Sequence, residues 1–441
     1  MKTFFSNWWE QLRSSYWFLP SLLALGAILL SAFTLHIDTT LNPKWARDSA
    51  LIWAGGAEGA RSVLATIASS TITVAGVVFS ITIVSLTLAS SQFGPRLLRN
   101  FMKDRGTQLA VGVFVATYLY CLLVLRAVRG SDHGTVIPFL SVTCGVGFAV
   151  VSVGFLIFFI HHISASIIAD NVIARVASDL QSNIDRLYPD KLEADSRDAP
   201  GGLEKKLPEL FEHDSQTIAC KKSGFIQAIA VEDLLQLAQE KELIIRLCRR
   251  PGQFIAAGEV LAEVVPRAVG DHNLGRKISE SVFFGRDRTP TQDIEYSIDQ
   301  LVEVAVRALS PGINDPFTAI TCIEWLGAAL IQMAGRKISS RWCYDDEGKV
   351  RVVTDATDFE GIADAALNQV RQYGCRSVAV TVRLLEVLAR IGPRLLRKKD
   401  RTVLLAHARA VRDDGLAACA NEGDQRDIEG MFAGAERALI G

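Results

Sequence analysis

Apolar residues run in four long blocks through the first part of the chain, then give way to short alternating and helix-periodic patterns. The blocks, at about 16–36, 61–92, 107–126 and 135–160, each supply the roughly 20 apolar residues that a membrane-crossing helix needs. The second is longer than a bilayer requires and is expected to tilt or project beyond it. After the fourth block, Ile163, Ile167, Ile173, Val176, Leu180, Ile184 and Leu187 keep a three-four spacing past Asp170, Asn171, Arg175 and Asp179. That spacing predicts that span four continues as a helix which leaves the bilayer and packs along one seam. Residues 189–209, with Pro189, Pro200, Gly201, Gly202 and several acids, read as a linker.

From Thr217 to Pro266 the pattern changes to strand-like runs, GFIQAI, ELIIRLC and EVLAEVV, around an amphipathic helix near 232–241. With turns at Pro251-Gly252 and Ala257-Gly258, these predict a small β-barrel or sandwich. Two helices joined by SPGINDP follow, then the hairpin RWCYDDEGKVRVV and amphipathic helices to about 439. The expected fold class is an α-helical integral membrane domain of four transmembrane helices plus a cytosolic α+β region. Its divisions are a four-span domain over 1–165, a connecting helix and linker over 166–210, a β-barrel-like domain over 211–268 and a mainly helical domain with one hairpin over 269–441.

The second block changes this picture most. Residues 62 to 91 carry no charge yet hold twelve Ser or Thr. In alternating steps of three and four, Ser62, Thr66, Ser69, Thr73, Gly76, Ser80, Ile83, Thr87 and Ser90 fall on one helical face, all but Ile83 small or hydroxylated. An unpartnered buried hydroxyl costs roughly 1 to 3 kcal/mol, partly relieved by bonding the carbonyl one turn earlier. Such a stripe therefore faces other helices, a symmetry-related copy of itself, or water. Close helix packing explains it through small residues that let backbones approach; a water-filled path explains it as polar surface lining a cavity at membrane depth.

Charge sets the orientation. Arg96, Arg99, Lys103 and Arg105 crowd the short link between spans two and three, which favours the cytoplasm for that link and places both termini inside. The same cluster could concentrate anions at a cytosolic pore mouth. No cleavable signal is evident, because Trp8, Trp9, Tyr16, Trp17 and Phe18 form an interfacial aromatic belt before the first span. Net charge is −1, with no basic footprint for nucleic acid. The eight cysteines are scattered without a C-x-x-C, which argues against a disulfide framework or a zinc site and agrees with a reducing compartment.

Candidate chemistry is sparse. Adjacent His161 and His162 point about 100° apart on a helix and cannot chelate one ion together; an interfacial hydrogen bond or a pH-responsive contact suits them better. Asp293, Glu295, Asp299, Glu303 and Arg307 make a carboxylate-rich helix, in which the last three follow i, i+4 spacing and can pair on a solvated face. Around SPGINDP, Asp315 is placed as an N-cap with Pro316 at the first helical position, and Asn314 suits the turn. Arg307, Ser310, Asn314 and Asp315 nevertheless form a dense polar group suited to an anion, a small ligand or a neighbouring subunit. The phrase PGQFIAAGEVLAEV is similar to half of a biotinyl or lipoyl carrier domain but lacks the modified lysine. No Walker loop, HExxH, dinucleotide fingerprint or G-x-S-x-G is present.

Four features in order, QFGPRLLRNFMKD after the hydroxyl-rich span, His161-His162 closing span four, RALSPGINDPFTA, and the hairpin before ALNQVRQYG, resemble the bacterial predicted membrane proteins grouped as domain of unknown function 2254. The resemblance covers essentially the whole chain and implies a four-span membrane domain with a cytosolic C-terminal region; it carries over no catalytic residue. The expected function is a homo-oligomeric ion channel or channel-like pore in the bacterial inner membrane. Span two would line it through Ser62, Thr66, Ser69, Thr73, Gly76, Ser80, Thr87 and Ser90, and Arg96, Arg99 and Lys103 would form its mouth. The lipid bilayer, further copies of the chain and small ions are its expected partners, without cofactor or metal. The alternative is a membrane-anchored sensor or scaffold whose spans only transmit a signal; an enzyme ranks last.

Overall fold

A computed structural model of the chain describes residues 17–40, 56–94, 104–128, 137–166, 168–190, 211–212, 214–267, 273–338 and 341–441. The chain forms two compact units, one up to Asn171 and one from Val172 onward.

In the first unit each apolar block becomes one helix: α1 (Phe18–Thr40), α2 (Ala57–Phe93), α3 (Arg105–Ala127) and α4 (Phe139–Ser166). α3 lies against each of the other three. It is the most enclosed of the four, whereas α1, α2 and α4 turn rows of large apolar side chains outward, among them Leu25 and Leu29, Val77 and Val84, and Val150 and Ile157. Outward apolar rows are the surface expected of helices solvated by lipid. At 37 residues, α2 is about 55 Å long, well beyond a hydrocarbon core of about 30 Å.

The continuous helix expected from Ile163 to Leu187 is divided. α4 ends at Ser166 and α5 (Ala169–Leu187) starts afresh. Asn171 is the local cause: its side-chain amide donates to the Ala165 carbonyl at 2.8 Å and its backbone N–H to the Ile168 carbonyl at 3.1 Å, bonds that replace helical ones. The apolar seam is nonetheless real within α5, where Val172, Ile173, Val176, Leu180 and Ile184 are buried.

The β-region is not a closed barrel. β1 (Gln216–Ala219), β2 (Gly224–Ile229), β3 (Ile244–Leu247), β4 (Phe254–Ile255), β5 (Val260–Val265), β6 (Val282–Gly285), β7 (Trp342–Tyr344) and β8 (Val350–Val353) form two sheets, with orders β1-β5-β3-β8-β7 and β4-β2-β6. The hairpin β7–β8, expected to stand with the later helices, joins the first sheet through a parallel pairing of β8 with β3, Ile245 opposite Val352. β3 buries Ile245 and Leu247 and β8 buries Val350 and Val352, so β3 pairs with a strand that brings a complementary apolar face from far downstream. α6 (Val231–Glu240) packs on this sheet through Leu234, Leu237 and Ala238, and short α7 (Leu274–Glu280) precedes β6.

Helices α8 (Ile294–Ala308), α9 (Pro316–Ala334), α10 (Phe359–Gly374), α11 (Val378–Ile391), α12 (Lys398–Ala418) and α13 (Glu422–Ile440) complete the second unit. Among the described residues α9 is a fifth helix long and apolar enough to cross a membrane, beyond the four expected. Half of its most apolar window is buried inside the chain, where Cys322, Ile323, Leu326, Leu330 and Met333 meet neighbouring helices.

Candidate functional site

The stripe on α2 separates cleanly from the face that holds the chain together. Ala60, Leu64, Ala68, Thr71, Ala75, Val78, Ser85, Ala89 and Phe93 are buried. At 100° per residue they cluster about 180° away from Ser62, Thr66, Ser69, Thr73, Gly76, Ser80 and Thr87, all of which are exposed, as is Ile83; Ser90 is half-buried. Among the described residues, packing thus uses the alanine-rich side, and the hydroxyl side lies exposed. Its hydroxyls turn back on their own helix: Thr66 donates to the Ser62 carbonyl at 2.7 Å, Ser69 to Thr66 at 3.1 Å, Thr73 to Ser69 at 2.8 Å and Thr87 to Ile83 at 2.9 Å. Each such bond spends the hydroxyl proton and leaves oxygen lone pairs facing outward. Arg96, Arg99 and Lys103 lie outside the described residues.

Two carboxylates tie the bundle at the ends of its helices, Asp38 and Asp104, and the sequence analysis singled out neither. Asp38, near the end of α1, accepts from the backbone N–H of Leu140 (3.1 Å) and Ser141 (3.0 Å) and from the Ser141 hydroxyl (2.7 Å), capping α4. Asp104 caps α3, accepting from the Gly106 and Thr107 amides and from the Thr107 hydroxyl at 2.7 Å, and its carboxylate meets His162 Nε2 of α4 at 2.6 Å. The imidazole stacks on Phe158 with ring centroids 5.3 Å apart and sits so close to Gly106 that a Cβ there would lie 2.6 Å from Nε2. His161 is exposed. Between the two ends, Tyr120 is fully buried, with its hydroxyl 3.0 Å from Thr34 Oγ1 and donating to the Ser141 carbonyl at 3.2 Å; Thr117 and Ser152 hydroxyls meet at 3.0 Å. The Asp104-to-Thr107 spacing is a cap signature legible in sequence. Asp38 is paired 102 residues away and left no such trace. Asp104→Ala and His162→Ala are each expected to lower the melting temperature of the purified protein, and the double variant to lose less than their sum, with a coupling of about 1 kcal/mol. Additive losses would show that the contact does not join α3 to α4.

The turn from Arg307 to Pro316 resolves into local bonds. Asp315 accepts from the amides of Phe317 (3.1 Å) and Thr318 (3.2 Å) and from the Thr318 hydroxyl (2.6 Å); Ser310 Oγ donates to the Arg307 carbonyl at 2.7 Å; Asn314, at φ 49°, donates its N–H to the Ser310 carbonyl at 2.8 Å. Arg307 Nε lies 3.7 Å from Glu303. That is the expected i, i+4 pair, but the other carboxylates of the row are held differently. Asp293 is buried and holds Arg288 (2.8 Å), Asp299 also holds Arg288 (2.6 Å), and Glu295 holds Arg250 (2.7 Å), which reaches Asp355 at 3.5 Å as well. Arg288, just before the helix, and Arg250, 45 residues away, thus neutralise three of the carboxylates, while Glu303 keeps its partner on the helix.

The Thr318 hydroxyl bond holds the Asp315 carboxyl below the usual carboxylate range. A folded-state pKa below the unfolded value of about 3.9 means that the cap's contribution is whole above that pH and fades as pH falls through the folded value. Asp315→Ala is therefore expected to cost about 1 kcal/mol near neutrality and progressively less below about pH 4, read from melting curves across that range. A pH-independent deficit would contradict the capping role.

A family model described as predicted membrane protein (DUF2254) matches residues 13–390. Uncharacterized protein Rv1290c of Mycobacterium tuberculosis and uncharacterized protein Mb1321c of Mycobacterium bovis are each 30% identical to this chain, over 98% of it and 82% of their own length. No solved structure matches.

Proposed function

The chain belongs to the DUF2254 family of predicted membrane proteins, and on that footing we propose that it forms a homo-oligomeric channel for small ions whose path is lined by α2. The observation that carries this reading is the hydroxyl and glycine stripe lying exposed on the side of α2 opposite the chain's own packing face. One helix per chain cannot enclose a path, and closed rotational symmetry supplies the remaining walls. Lone pairs of back-bonded hydroxyls coordinate an ion or its hydration water weakly enough to release it, as conduction requires. In this proposal α1 to α4 cross the bacterial plasma membrane, the link between α2 and α3 is cytoplasmic, and α9, being clasped by other helices, stays in the cytosolic unit, which serves as assembly platform or gate.

Purified full-length protein in planar bilayers, under voltage, tension and pH change, tests conduction, and native mass spectrometry tests assembly. A silent membrane or a monomer would reject the channel and favour a non-conducting sensor or scaffold. Cysteines placed at Trp45 and Leu98 test orientation in intact cells: labelling of position 98 but not 45 by an impermeant reagent would reverse it.

A further inference from the structure

A half-open pocket of about 170 Å³ lies in the second unit, where the end of α5, the strand β2, the β3–β4 turn, the start of α8 and the segment before α10 converge. It is slightly larger than a cavity that accommodates benzene, about 150 Å³. Its charges are unequally committed. Asp293 is engaged by Arg288 and by the Tyr296 amide, Asp355 by Arg250, and Arg250 also by Glu295. Two donors remain among the described lining residues. Tyr188 is only 9% exposed, and its hydroxyl, which keeps access to solvent, makes no hydrogen bond to any described residue. Arg249 reaches Glu259 only at 4.0 Å and otherwise donates to the neighbouring Cys248 carbonyl at 3.1 Å. Much of the remaining wall is apolar, from Leu187, Ile229 and Pro251 among others. Burial, reinforced by the nearby Glu295 and Asp293 carboxylates, pushes the Tyr188 hydroxyl up to about 12, so it stays protonated and a donor at neutral pH.

We infer that this pocket is a binding site for a compact organic anion, its apolar body held by the apolar wall and its carboxylate received by Tyr188 and Arg249. The size, the apolar wall and two unspent donors with no unspent acid select that class over inorganic phosphate, which has no apolar part, and over cations, which need free acceptors. Tyr188 ends α5, and that end is fastened on both sides. Arg336 pairs with Asp185 and donates to the Pro189 carbonyl at 2.9 Å, and Arg186 donates to the Pro290 and Thr291 carbonyls at 2.8 and 2.6 Å. A ligand here therefore bears on the helix that begins three residues after α4 ends. The inference concerns binding alone and stands whether or not the protein conducts.

Isothermal titration and thermal shift of the full-length protein with benzoate test it. The expected result is saturable binding that weakens about tenfold in Tyr188→Phe, which removes one donor while keeping the ring, and weakens similarly in Arg249→Gln. Benzyl alcohol, of similar size and without charge, should bind at least about tenfold more weakly. Absence of benzoate binding at about 10 mM, unchanged affinity in a Tyr188→Phe variant with a parental melting curve, equal affinity for benzyl alcohol, or tighter binding of inorganic phosphate would each overturn the assignment.

Discussion

Protein carrying Thr73→Leu and Ser80→Leu together is expected to be electrically silent under conditions in which the parent chain conducts. The two positions lie two helical turns apart on the same line of α2, and both are exposed on the side opposite the buried face among the described residues. Leucine there removes two oxygens and adds apolar bulk from every copy around the axis, so one substitution pair per chain becomes a ring. A ring of that kind gates by dewetting. The fold has little to lose, because Thr73 forfeits only its bond to the Ser69 carbonyl at 2.8 Å and leucine is the better helix former by a few tenths of a kcal/mol at each site. Melting temperature and oligomeric mass should therefore stay at parental values while current disappears. Thr73→Ser with Ser80→Thr, which keeps both hydroxyls, should conduct. Parental current through the leucine variant would remove α2 from the path.

The same contrast between local and distant determinants explains how much could be read from sequence. Each of the four apolar blocks became one helix because membrane length and composition are local properties. The Asp315 cap was legible for the same reason, since its partners are the next three residues. What failed was set by tertiary pairing. The β7–β8 hairpin extends a sheet through β3, and of the expected barrel or sandwich the closed barrel is absent, two sheets around one core standing in its place, because strand order depends on which apolar faces meet. Periodicity carried the α5 seam but not its break from α4, since a single Asn171 side chain decides that point. The Arg250 partner of Glu295 likewise depends on a turn that folds back from 45 residues away. At the candidate site, the residues of the stripe were legible as a face. That this face stands exposed among the described residues was not, because periodicity places residues on a face without saying what covers it.

Two glycines in the membrane unit carry the second large expectation, and they should behave in opposite ways. Gly112 of α3 is pressed against α1: a Cβ there would stand 2.6 Å from Leu23 Cδ1 and 3.1 Å from the Cα of Pro20. The Leu23 side chain can turn aside, but the Pro20 Cα is backbone and moves only if the helices part. Small residues at such crossings allow the close approach that holds membrane helices together, and even modest overpacking costs about 1–3 kcal/mol. Gly112→Leu should thus prevent recovery of folded protein, seen as loss of the monodisperse peak in detergent and of a cooperative melt. Gly76 of α2 lies on the hydroxyl stripe, and a Cβ there would meet nothing within 4 Å. Gly76→Leu should fold at least as well as the parent, with about 0.8–1.0 kcal/mol of helix propensity in its favour, and yet lose assembly or current, because the space it fills belongs to a neighbouring copy or to the path. If Gly76→Leu instead assembles and conducts as the parent does, that part of α2 faces lipid, and the stripe cannot be the lining of a channel.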